Sequence, residues 1–162
     1  MSHPEGLPRL FLDRSLGPIQ VPRFLRAAGL WLVTLSEHYG TPRDQGIPDA
    51  EWLELVGSNG WVAFTKDKRI GRLRDQREAI VSNRVRCFYL ANQNVAAEEM
   101  GNRFLRNLPR IVEACAYPGP FLYAVHKPGS RRCRSTAALT DREVRRVLLI
   151  LRPVPELDGL GG

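Results

Sequence analysis

Five short apolar runs alternate with segments of helical spacing, and this alternation restricts the possible folds more than any other feature of the chain. The runs are LPRLFLD (7–13), LWLVTLS (30–36), WVAFT (61–65), VRCFYL (85–90) and PFLYAVH (120–126). Each has the length of a strand and is bounded by turn residues or charge. Between the first two, Gly17-Pro18 starts a helix with Val21, Phe24, Leu25 and Ala28 at helical spacing, and Gly29 closes it. Asp49 reads as the cap of a helix whose inward stripe is Trp52, Leu53 and Val56, with Asn59-Gly60 as its stop. Residues 69–83 read as a basic amphipathic helix with Ile70, Leu73, Ile80 and Val81 inward. Asn94 reads as the cap of a long helix reaching Ala116, which Pro109 kinks or splits. Strands alternating with helices imply an α/β protein: a mostly parallel sheet of four or five strands, covered by helices on both faces. The first and third strands are expected to be neighbours, and run 120–126 to form an edge.

Length and charge then bound the function. The 162 residues suffice for one domain with a real core. Lys and Arg total 24 against 17 acids, for a net charge of +7, and only Lys66, Lys68 and Lys127 among the basic residues are lysines. Arginine's planar fork suits phosphate, which points to a polyanionic partner, although a GC-rich genome gives the same bias. Cys87, Cys115 and Cys133 show no metal-ligand spacing, and the first two read as buried filler in a reducing cytoplasm. No apolar signal core opens the chain and VLLILRPV is too short to span a bilayer, so a cytoplasmic protein without membrane contact is expected.

Three acids stand where such a fold gathers side chains. Asp13 closes the first run, Asp49 opens a helix, and Asp67 follows the third run. Acids just after strands lie at the carboxyl edge of the sheet, where open α/β folds place their sites. Carboxylates brought close repel unless a cation neutralises them, and a hard divalent ion with oxygen ligands does so. The plainer reading makes Asp49 only a cap and the other two loop residues. Arg14, Lys66, Lys68 and Arg69 flank the acids, either to grip RNA phosphates or as a solvated surface; Arg72, Arg74 and Arg77 continue the basic face. The loop 37–48 carries Glu37, His38 and Tyr39, with Tyr39 the candidate for stacking on a base. Trp31, Trp52 and Trp61 read as packing residues, His3 as part of a disordered end, and no Ser-His-Asp arrangement stands out.

The segments FLDRSL, a helix ending RAAG, and PDAEWLELVGSNGWVAFTKDKR resemble the PIN-like domains related to VapC toxins. The likeness is to a compact branch in which Asp-x-x-Leu opens the chain and Thr-(Lys/Arg)-Asp follows a strand, and it covers about residues 7–128. It implies a three-layer α/β/α fold and an Mg2+- or Mn2+-dependent ribonuclease, many relatives being toxins of toxin–antitoxin pairs. Asp13 then matches the first family acid, Asp49 the acid at a helix start, and Asp67 the acid of the T-x-D motif, with Thr65 its hydroxyl partner. The chain departs at the fourth acid, a Glu on a helix in many members; here only Glu37 is offered, as ligand or as a solvent-facing residue. Residues 1–128 would be the nuclease domain and 129–162 a basic appendage rich in arginine, from Arg131 to Arg146. The implied partners are RNA and a protein antitoxin that blocks the acidic cleft, with a homodimer by analogy. Two rivals remain: a catalytically weak nucleic-acid-binding module on the same fold, and an RNA-processing or DNA-repair nuclease without antitoxin.

Overall fold

The computed structural model describes residues 2–127 except Gln93. Its strands are β1 (Leu10–Leu12), β2 (Leu32–Thr34), β3 (Val62–Thr65), β4 (Arg86–Leu90) and β5 (Phe121–Val125). Its helices are α1 (Gln20–Ala27), α2 (Leu35–Tyr39), α3 (Asp49–Ser58), α4 (Arg74–Ser82), α5 (Ala97–Arg106) and α6 (Leu108–Cys115), with single 3-10 turns at Arg14–Leu16 and Arg43–Gly46. The sheet has the order β2-β1-β3-β4-β5, and every neighbouring pair is parallel. The chain leaves β1 for β2 on one side and later returns to β3 on the other, which makes the β1/β3 boundary the switch point.

Alternation along each strand divides the core into two layers. Leu10, Leu12, Phe64 and Phe88 face one side, where Val21 and Leu25 of α1, Phe104 of α5 and Ile111 of α6 cover them. Phe11, Ala63 and Cys87 face the other, under Trp52, Leu53 and Val56 of α3 and Ile80 of α4. Aromatic rings fill the centre of each layer: Phe64 stacks on Phe104 at 4.2 Å between centroids, and Phe11 on Trp52 at 5.6 Å. This is a three-layer α/β/α sandwich with β5 at an edge, as the alternation of runs implies.

Several expectations are corrected. Strand 30–36 ends at Thr34, because a capping box turns the chain into α2: the Glu37 amide donates to Thr34 Oγ1 at 3.1 Å and the Thr34 amide to Glu37 Oε2 at 2.9 Å. Pro48, not Asp49, occupies the cap of α3; Asp49 is its first helical residue. Helix 69–83 begins only at Arg74, since Gly71 at φ +83° bends the chain before it, and Leu73 is left 61% exposed. The long helix starts at Ala97 and divides at Asn107, with Pro109 in the first turn of α6, where its missing N–H costs nothing. Trp31 is 69% exposed rather than packed. His3 is ordered against it: the rings stack at 4.8 Å, and the Trp31 amide donates to Nδ1 at 2.9 Å.

No helix of the described residues is long and apolar enough to cross a membrane. The proposed appendage at 129–162 and its arginines lie outside the described residues.

Candidate active site

The carboxyl ends of β1 and β3 are stitched together through one carboxylate. Asp13 follows β1 in extended conformation, and its amide donates to the Phe64 carbonyl at 3.2 Å. Its Oδ1 accepts from the Ser15 amide at 2.8 Å and from the Ser15 hydroxyl, while its Oδ2 accepts from Thr65 Oγ1 at 2.9 Å. Ser15 Oγ in turn accepts from the Lys66 amide at 2.9 Å, and Thr65 Oγ1 from the Asp67 amide at 3.0 Å. Each hydroxyl proton is thereby spent on Asp13, and each hydroxyl oxygen fixes the backbone beyond β3.

Asp13 is 6% exposed. Burial raises its pKa to about 6; the three donors pull it down, and the negative charge of Asp49 adds to the rise. Asp49 therefore lies near enough for its charge to act on Asp13. Its carboxylate is held by two donors, the Trp52 indole at 2.9 Å on Oδ1 and Gln76 Nε2 at 2.8 Å on Oδ2. Gln76 is itself buried, and its Oε1 accepts from the Gly71 amide at 2.9 Å, so one amide side chain ties Asp49 to the basic turn after β3.

The other expected residues are placed as follows. The Asp67 side chain turns to Arg69, accepting from its amide at 2.8 Å with Nε at 3.6 Å. Lys68 and Arg69 are exposed and Lys66 is half-buried. Glu37 is engaged elsewhere: Arg26 Nη2 donates to Oε2 at 2.7 Å, and that hydrogen bond, with those of Thr34, holds its carboxyl below the usual range. The Arg14 guanidinium is directed to backbone, donating to the carbonyls of Gln45 at 2.9 Å and Ile47. Tyr39 takes the edge of His38 at 4.8 Å and lies under Arg43 at 5.9 Å. Among the described residues, no three of Asp, Glu, His and Cys gather closely enough to hold an ion, so Asp13, Asp49 and Asp67 do not form a closed cage.

An acid not singled out in the sequence shares a pocket with Asp13 instead. Asp44, in the 3-10 turn Arg43–Gly46, is 4% exposed and lines a pocket of about 380 Å³ together with Asp13, Arg14, Thr34, Ser36 and Gln45. Its Oδ2 accepts from Gln45 Nε2 at 3.0 Å, but Oδ1 is buried with no hydrogen-bond partner among the described residues. The sequence carried only part of the signal: the segment after β2 leaves the same sheet edge as those after β1 and β3, but nothing in it marks Asp44 as the buried acid. The Gly, Pro and charge around it made the segment read as open loop. Such a buried, unmatched carboxylate oxygen near a second carboxylate is the chemistry of a hard cation site.

A family model described as PIN like domain matches residues 8–92, which contain Asp13, Asp44, Asp49, Thr65 and Asp67. A protein of Mycobacterium tuberculosis (strain ATCC 25618 / H37Rv) named "Putative ribonuclease VapC45" is 38% identical over 120 residues, covering 74% of this chain and 87% of that protein. No solved structure gives a significant match.

Proposed function

The chain belongs to the PIN-like domain family, and from that premise we propose that it is a metal-dependent endoribonuclease of the cytoplasm, the toxin of a type II toxin–antitoxin pair. The observation that carries this reading is Asp13: a buried carboxylate at the switch point of a parallel sheet, fixed by three donors and pushed toward the neutral form unless a positive charge joins it.

In this reading Asp13 would hold Mg2+ or Mn2+. Asp49 and Asp67 add negative charge from the margin, directly or through water. When bound, the ion offsets phosphate charge and favours ionisation of the attacking water. Ser15 and Thr65 keep the Asp13 carboxylate in one orientation, so little reorganisation is left for the reacting state. Thr65 also fixes the Asp67 amide, and Gln76 with Trp52 fixes Asp49. Lys66, Lys68 and Arg69 stand next to this edge and bind RNA phosphates. Arg14, with its fork already on two carbonyls, contributes by holding the 43–47 segment. A protein antitoxin would cover the acidic edge, with a basic side chain taking the place of the ion.

The test is RNA cleavage by the full chain with Mg2+ or Mn2+ and with chelator, comparing wild type, Asp13→Asn and Asp67→Asn. Cleavage should need the ion and disappear in Asp13→Asn. Equal cleavage by all three proteins would overturn the mechanism. One observation favours the rival binding module: the Glu37 carboxylate is already engaged by Arg26 and the Thr34 amide. That reading gains if Mg2+ binds only at millimolar levels while RNA still binds.

A further inference from the structure

We propose that Asp44 is the second direct carboxylate ligand of the divalent cation, paired with Asp13 in the pocket beside the carboxyl ends of β1 and β2. The proposal rests on the metal-nuclease reading above and gives that site a ligand it otherwise lacks.

The argument starts from an unmet valence. Asp44 is 4% exposed, and its Oδ1 has no hydrogen-bond partner among the described residues. Leaving a buried acceptor unmatched costs free energy, and more for a charged one. Native structures retain such a group where something else satisfies it. Asp44 also lines a pocket, and the other groups of its lining say what kind of partner the side chain would meet there. Asp13 also lines it, with Thr34 and Ser36. Two carboxylates on one pocket reject anions and call for positive charge.

Among the described residues, the pocket lining offers one positive charge against two carboxylates, and that charge is not bonded to either of them. Arg14 is the basic side chain on the pocket, and its guanidinium is directed to the Gln45 and Ile47 carbonyls. Oxygen donors without sulfur or imidazole select a hard ion over a thiophilic one. Mg2+ needs only one or two protein carboxylates, because water and substrate phosphate oxygens complete its shell. The absence of a three-acid cage among the described residues therefore agrees with a two-carboxylate site.

The turn that carries Asp44 is also held in place. The Asp44 amide donates to the Gly40 carbonyl at 2.8 Å, Gln45 Nε2 holds Oδ2 at 3.0 Å, and Arg14 ties down the carbonyls that follow. Arg14 is the residue after Asp13, so one chain step links the two carboxylates mechanically. A solvent-facing acid would have no need of this support.

The test is Mn2+ binding by electron paramagnetic resonance on the full chain, in wild type, Asp44→Asn, Asp13→Asn and Glu98→Gln. Glu98 is exposed on α5 and controls for the loss of one negative charge. Asp44→Asn should weaken Mn2+ binding about tenfold or more, in the range seen when groups around a metal are removed, while Glu98→Gln stays within about twofold. A thermal melt guards against a folding artefact. Without ion, Asp44→Asn should melt no lower than wild type, since it removes an unmatched buried charge, and it should lose the stabilisation that Mn2+ gives wild type. Wild-type Mn2+ affinity in Asp44→Asn, with loss in Asp13→Asn, overturns the proposal and leaves the metal-nuclease reading standing; Oδ1 is then met by water. A lower ion-free melt also overturns it, by making Asp44 a structural residue. If wild type neither binds Mn2+ nor cleaves RNA, the metal-nuclease reading falls and the proposal with it.

Discussion

Asp13 is a site of stored electrostatic cost. Its ordinary pKa of 3.8 rises to about 6 in the fold, chiefly through burial. Because the folded value lies above the unfolded one, the native state keeps a proton that the unfolded chain releases between those two pH values. Its contribution therefore favours folding at low pH and is lost as pH climbs from about 4 to about 6, levelling off above. A shift of this size corresponds to roughly 3 kcal/mol at neutral pH. In the ion-free protein the stability of Asp13→Asn relative to wild type should therefore rise with pH, by about 2–3 kcal/mol between about pH 4 and 7, on top of a constant loss from the hydrogen bonds an amide cannot accept. Urea titrations of both proteins across that range check this; a constant difference would show that the carboxylate is not under strain. Bound cation should erase the effect, since the charge that burial disfavours is then matched.

At the scale of elements, the junction β2–α2 depends on local chemistry rather than on the cation. Thr34 and Glu37 form a reciprocal cap, and Arg26 on α1 pairs with the same carboxylate, both partners being 43% exposed. Caps contribute about 1 kcal/mol and exposed ion pairs less. Glu37→Ala should lower stability by about 1 kcal/mol while Mn2+ affinity stays within about twofold. A tenfold loss of affinity would make Glu37 a ligand after all. The α3–α4 contact sets a second test. A Cβ on Gly57 would stand 2.3 Å from the Asn83 carbonyl oxygen, which is backbone and cannot swing aside. Gly57→Ala should therefore destabilise by about 1–2 kcal/mol despite alanine's better helix propensity, and an unchanged or higher denaturation midpoint would mean the helices separate freely. These elements also show what the sequence could reveal. Short apolar runs with turn residues between them have few alternatives to parallel strands under helices, so the order of elements and the β1–β3 neighbourhood were legible. Boundaries set by side chains reaching back to backbone were not: Thr34 ends a run whose apolar pattern continues through Leu35. The positions of Asp13 and Thr65 were likewise legible from strand ends. Asp44 was not, because a buried turn and an exposed loop share the same composition, and what distinguishes them is the long-range tie from Arg14 to the Gln45 and Ile47 carbonyls.

For the whole molecule, the chain carries a net charge of +7, and the described residues place an acidic pocket at one edge of the sheet. A polyanion is drawn to such a body at long range and then meets the acids only where a cation shields them. In the proposed reading the basic residues that meet it are those of the turn after β3, which Ser15, Thr65 and Gln76 anchor through the amides of Lys66, Asp67 and Gly71. Phosphate contacts on single-stranded nucleic acid contribute a salt dependence of about 0.7 in log–log slope each. Replacing Lys66, Lys68 and Arg69 together by alanine should flatten the slope of RNA binding by about 2. It should also raise KM while leaving kcat nearly unchanged, since the carboxylates and their hydroxyl partners are untouched. Fluorescence anisotropy with a short RNA, from low to moderate salt, reads the first effect, and steady-state cleavage reads the second. An unchanged slope would place the RNA on another surface, such as the α4 face bearing Arg74 and Arg77. A fall in kcat at saturating RNA would instead mean that these cations act at the reacting phosphate.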